Sequence, residues 1–203
     1  NIQVPAFFII EQIFCVLRFA VLTCKFRATI AQAERNFCYI CAMIDYLQTS
    51  VAFTGHRAMS YAAGDSAEAL CLRLDATLCE LYARGARCFY SGMAEGFDLI
   101  AARAVLDLQR QYSDVQLIAA VPFRGHGRSF SAVVQRDYEQ ILRSANRVEV
   151  LAEGYSRDCF LRRDDYMVER AATVVAWFDG RAGGTAYTLA RARALGREVI
   201  NLY

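Results

Sequence analysis

The amino-acid sequence predicts a doubly wound α/β fold, with a mainly parallel sheet of about six strands and helices on both faces. Three observations predict it. From Ser50 onward, short β-branched or apolar runs alternate with longer segments of helical period. Each run except the last is followed by glycine, proline or polar residues. The segments between the runs are about 11 to 18 residues long, ordinary lengths for globular helices.

The strand candidates, in order, are residues 50–54, 87–91, 116–121, 147–151, 173–178 and 198–202. In the first intervening helix Leu70, Leu74, Leu78 and Leu81 recur on one face, and Gly85 supplies its stop. Phe97, Ile100, Ala101, Ala104 and Leu108 mark the inner stripe of the second helix, and Phe130, Val134, Tyr138 and Ile141 that of the third. These stripes are read as core. A right-handed crossover in each βαβ unit brings every strand-to-helix loop to the carboxyl edge of the sheet, where ligands bind at a reversal of strand order. The chemistry is therefore expected in the loops.

Composition narrows that chemistry. The chain has 203 residues, 56% of them hydrophobic and 22% charged, enough to bury a full core. Its formal charge of +2 gives no strong nucleic-acid signal. Lys25 is the only lysine and lies outside the predicted fold, which argues against a Walker phosphate loop or a Schiff-base lysine. His56 and His126 are the only histidines, too few for a His-rich metal site, and no metal or cofactor is expected. Of eight cysteines, Cys38 and Cys41 form a CxxC without a second Cys/His pair at metal spacing. Cys71, Cys79 and Cys88 fall in regular segments and are read as small buried hydrophobes. A cytoplasmic protein is expected.

Residues 1–42 differ from the rest, being rich in Phe, Ile and Cys. The apolar stretch 4–24 has the length of a membrane span but contains Glu11, Gln12 and Arg18. A mid-bilayer charge costs about 2.5 to 3.5 kcal/mol, so no span is assigned. With Met43 just ahead of the first strand, 1–42 is expected to be an extension or translated leader outside the core fold and 43–203 the domain. An added amphipathic helix is the alternative.

Three loops carry candidate binding residues. After the first strand come Gly55, His56 and Arg57, where glycine permits close backbone approach and arginine can fork onto phosphate or carboxylate. The second reads YSGMAEGFDLIAA. Ser91 and Gly92 leave the strand, Gly96 allows a tight helix entry, and Asp98 either caps the first turn or accepts hydrogen bonds from a ribose or base. The third reads WFDGRAGGTAYTLARA, with Asp179, Gly183, Gly184 and Thr185 before a helix whose free amides suit phosphate. Arg162 and Arg163 lie in a charge run on the fourth helix, for which a solvated face is the bland reading. His126, in a Gly-flanked loop, is read as incidental. No GxGxxG is present.

Taken together and in this order, TGHR, SGMAxGxD, a helical RxxYM and DGxxGGT resemble the YpsA family of the SLOG superfamily, over residues 50–203. That Rossmann-like group includes the lonely-guy phosphoribohydrolases and the DNA-processing protein DprA. The resemblance implies a nucleotide pocket that maps to Gly55, Arg57, Ser91, Gly92, Gly96, Asp98, Gly183, Gly184 and Thr185; Arg163 and Asp179 are further ligand-binding candidates. Where the family often has RN before its YM element, Asp164 follows Arg163 here. The lonely-guy PGGxGTxxE motif places its catalytic glutamate at Thr188, whose hydroxyl cannot act as a general base. No catalytic residue is assigned.

The expectation is a protein that binds a nucleotide-related small molecule in a sensing or regulatory role, with a homo-oligomer left open. One alternative is a nucleotide N-glycosidase using Asp98 or Asp179. Another is a DprA-like nucleic-acid or protein interaction module.

Overall fold

A computed structural model describes residues 46–59, 61–63 and 65–203. Alternation along each strand builds the architecture, because successive side chains point to opposite faces. On one face Val51, Phe53, Phe89, Leu117, Ala119, Val175 and Trp177 are buried in one core cluster. On the other Ala52, Tyr90, Ile118, Val174 and Ala176 are buried in a second. Both faces are apolar and both are covered, the condition under which parallel sheets are stable.

The strands are β1 (Ser50–Gly55), β2 (Cys88–Ser91), β3 (Gln116–Val121), β4 (Arg147–Val150), β5 (Thr173–Trp177) and β6 (Glu198–Asn201). Their order in the sheet is β4-β3-β2-β1-β5-β6, and every pair is parallel. The helices are α1 (Ala67–Ala83), α2 (Phe97–Gln111), α3 (Ala132–Ser144), α4 (Cys159–Glu169) and α5 (Gly184–Ala194). The first three contribute to the first core cluster, while α4 and α5 contribute to the second. The chain thus winds outward from β1 to β4, returns through α4 to the opposite flank of β1, and winds outward again. The reversal falls between β1 and β5, the place where an open α/β sheet leaves a crevice.

Local signals account for the helix ends. Ser66 caps α1, its hydroxyl accepting from the Ala69 amide at 3.2 Å, and Ser131 caps α3 in the same way toward Val134. The leucine stripe of α1 is fully buried. Two expectations fail in detail. Phe130 lies before α3 rather than on it, although it packs on the same core. Cys71 and Cys79 are exposed, and only Cys88 and Cys159 behave as buried thiols. Val148 and Val150 of β4 are largely exposed because this short strand is a sheet edge.

No helix among the described residues is long and apolar enough to cross a membrane. The readings of 1–42 as extension or leader, of 4–24 as a non-spanning stretch and of the Cys38/Cys41 pair lie outside the described residues.

Candidate functional site

At the carboxyl edge, beside the reversal, a cavity of about 390 Å3 opens. Thr54 and Gly55 at the end of β1 line one side, and His56 and Arg57 continue from them. The start of α2 contributes Ala94 and Asp98, and the start of α5 contributes Gly184 and Thr185. Helix α4 closes the remaining wall with Phe160, Leu161, Arg163 and Asp164, preceded by Arg157.

Several predicted residues shape this cavity from behind it. Ser91 ends β2 and braces the next loop, its hydroxyl donating to the Asp98 carbonyl at 2.9 Å and accepting from the Met93 amide at 3.2 Å. Gly92 offers its carbonyl to the Arg163 guanidinium, and a Cβ there would lie 2.1 Å from that group. Gly96 has φ +89°, and a Cβ on it would meet the Arg57 carbonyl oxygen at 2.4 Å. This glycine therefore lets the β1 loop rest directly on the head of α2. Gly183 is the N-cap of α5, outside the cavity lining.

Asp179 also stands off the lining. One carboxylate oxygen lies 2.7 Å from Nε2 of His56, and the other accepts from Nε of Arg181 at 2.6 Å. Burial pushes its carboxyl upward, but the hydrogen bonds from Arg181 and the neighbouring His56 and Arg181 charges outweigh this and hold it below the usual range. Its role in the geometry is to orient His56, which does line the cavity.

The cavity floor is charged and nearly buried. Asp98, Arg163 and Asp164 are only 4%, 6% and 5% exposed. Nε of Arg163 donates to Asp164 at 2.7 Å, and Nη1 stands 3.5 Å from Asp98. One guanidinium thus serves two carboxylates. Burial pushes the Asp98 carboxyl up to about 6, with Arg163 opposing and Asp164 reinforcing the rise. Burial raises Asp164 as well, against the adjacent Arg163 charge. Arg163 does not join a solvated face: it points inward because two buried carboxylates and a carbonyl require a cation. Asp98 accepts from the Ala94 amide at 3.4 Å, so it ties down the preceding loop as well as lining the cavity.

At the rim the Arg57 guanidinium lies over the Phe160 ring, 4.8 Å from its centroid, a cation–π contact that holds an exposed arginine in place. Behind Phe160 lies the second histidine. His126 is buried, with ring centroids of Phe123, Phe130, Tyr138 and Phe160 at 5.3 to 5.9 Å, and its Nδ1 has no hydrogen-bond partner. Burial, then the Arg163 and Arg57 charges, pushes its pKa down to about 4, so the ring is neutral.

Sequence reasoning missed Phe160, Arg157 and Asp164 as lining residues. Asp164 had a visible signal, a departure from the family's asparagine, whereas nothing in the sequence shows that α4 crosses the crevice. Among the described residues no group of three or more His, Cys, Asp or Glu could hold a metal ion.

The YpsA family model, described as the YspA SLOG family, matches residues 51–199. No curated protein matches the chain. Among solved structures, DNA processing protein A from Streptococcus pneumoniae is similar at 22% identity and a TM-score of 0.51, over 77% of this chain and 51% of that one. DNA processing protein A from Helicobacter pylori, described for its single-stranded DNA binding mode, is similar at 16% identity and a TM-score of 0.52, over 79% and 67%. The chain spans about half the length of the pneumococcal protein. At these identities the likeness is one of fold.

Proposed function

The chain belongs to the YpsA SLOG family, and on that premise we propose that its cavity binds a nucleotide or nucleotide-derived ligand in a sensing or regulatory role. One observation carries the reading: a single cavity gathers arginines at its rim, the amide-rich start of α5, and two buried carboxylates on its floor. Phosphate suits Arg57 and the Gly184–Thr185 amides. Hydroxyl and amine donors of a ribose or base suit Asp98 and Asp164, which are acceptors when ionised. Titration calorimetry with nucleoside mono-, di- and triphosphates tests this. Arg57→Ala is expected to weaken the best binder by about 1.5 to 3 kcal/mol, the range for hydrogen bonds to charged groups, and leave the melting curve unchanged. Failure of every nucleotide to bind overturns the proposal.

A second reading, an N-glycosidase acting on nucleotides, is favoured by the Asp98–Asp164 pair and by an Asp98 carboxyl near 6, where it can donate a proton at neutral pH. Thr188 speaks for binding without turnover: it is buried and its hydroxyl donates back to the Gly184 carbonyl at 2.9 Å. Repeated release of free base from nucleoside monophosphates, abolished by Asp98→Asn, would replace binding with catalysis. The DNA binding of the Helicobacter protein suggests a third reading, which the charge of +2 does not support.

A further inference from the structure

Aromatic rings continue from the cavity onto the surface. Phe160 meets Phe123 at 6.1 Å and Tyr155 at 6.3 Å between centroids, and Phe123 meets Tyr155 at 5.6 Å. Tyr155 is 66% exposed, although it is the outermost ring of a packed set. Both of its ring contacts are inclined, at 79° and 60°, so among the described residues no ring stacks parallel on it. Two residues further on, Arg157 is exposed, lines the cavity and has no ion pair among the described residues. A cation at the cavity wall thus lies two residues from an exposed ring that packs on Phe160 of the same wall. That sequence of cavity, cation and ring repeats the order of nucleoside, phosphate and base.

We propose that Tyr155 forms a second, base-stacking subsite and that the ligand is a dinucleotide. One nucleotide unit occupies the cavity with its own phosphate at Arg57 and the Gly184–Thr185 amides, the linking phosphate lies at Arg157, and the second base stacks on Tyr155. The inference rests on the nucleotide reading of the cavity and adds the ligand's size and its second recognition element. Base–aromatic stacking is a sequence-tolerant contribution, worth a factor of about 5 to 150 in Kd. The subsite is accordingly expected to favour two-unit ligands without fixing the outer base.

The test is calorimetry on the full chain with the four nucleoside 5′-monophosphates, the matching 5′-phosphorylated dinucleotides and long homopolymer strands. The dinucleotide is expected to bind about 5- to 150-fold more tightly than its mononucleotide. Tyr155→Ala should erase that gain and leave the mononucleotide Kd unchanged, while Tyr155→Phe, which keeps the ring, should retain it. Equal binding of one-unit and two-unit ligands overturns the proposal and spares the nucleotide reading. So does a Tyr155→Ala variant that weakens both alike. Affinity that climbs steadily with strand length also overturns it, in favour of a strand-binding surface. Failure of all probes overturns both.

Discussion

Arg163 is the residue on which the site's charge balance turns. Replacing it with methionine leaves Asp98 and Asp164 buried without their cation and deprives the Gly92 carbonyl of its donor. Breaking a buried charge pair from one side costs about 3 to 5 kcal/mol. Denaturant melts of Arg163→Met at pH 8 should show that loss, and at pH 5 part of it should return as the carboxyls take up protons. The same cluster makes stability depend on pH. Asp98 titrates higher in the folded chain than in the unfolded one, so its contribution is complete below about pH 4 and is lost as pH rises to about 6. His126 titrates lower when folded, so its contribution is complete above about pH 6.5 and is lost as pH falls to about 4. Between pH 4 and 6 the two slopes oppose each other. Relative to the parent, Asp98→Asn should shift the slope of unfolding free energy against pH upward, and His126→Phe downward, each by about 1.4 kcal/mol per pH unit. Melts across that window check both signs.

The elements most legible in the sequence are those whose pattern is set by burial on both sides. The observed ends of β1 to β6 fall within about one residue of the apolar runs; for β1, β2, β3 and β5 the reason is that a parallel strand covered on two faces is apolar throughout and its limits are sharp. β4 and α1 show the boundary of that logic: periodicity places Val148, Val150, Cys71 and Cys79 on their elements but cannot reveal which element is an edge or which side of a helix faces water. The motif glycines were legible as close approaches, while the aromatic cage of His126 was not, because its four rings come from three separate segments. The junction of the β1 loop with α2 gives a prediction at this scale. Gly96→Ala places a methyl against the Arg57 carbonyl at a left-handed φ and should cost about 1 to 3 kcal/mol. It should also displace Arg57 and weaken nucleotide binding. Gly154→Ala, with open space around it, should stay within about 0.5 kcal/mol of the parent in the same thermal melts.

For the molecule as a whole, residues 46–203 form one compact unit that contains both cores and every cavity wall. A chain of residues 43–203 is therefore expected to melt in one cooperative transition and to bind the same nucleotides as the full chain; a molten or insoluble product would show that residues 1–42 are required. The cavity walls come from positions between 54 and 185, so binding energy is added to the whole cooperative unit: a nucleotide at about 100 times its Kd should stabilise it by roughly 2.7 kcal/mol. The two imidazoles carry a spectroscopic consequence. In 203 residues there are only His56 and His126, one lining the cavity and the other packed against the reverse side of the Phe160 wall. An imidazole-region magnetic resonance spectrum of this protein thus contains two ring systems, both next to the cavity. Ligand arrival becomes visible there as ring-current displacement of two signals, without a label and without crowding from the rest of the chain.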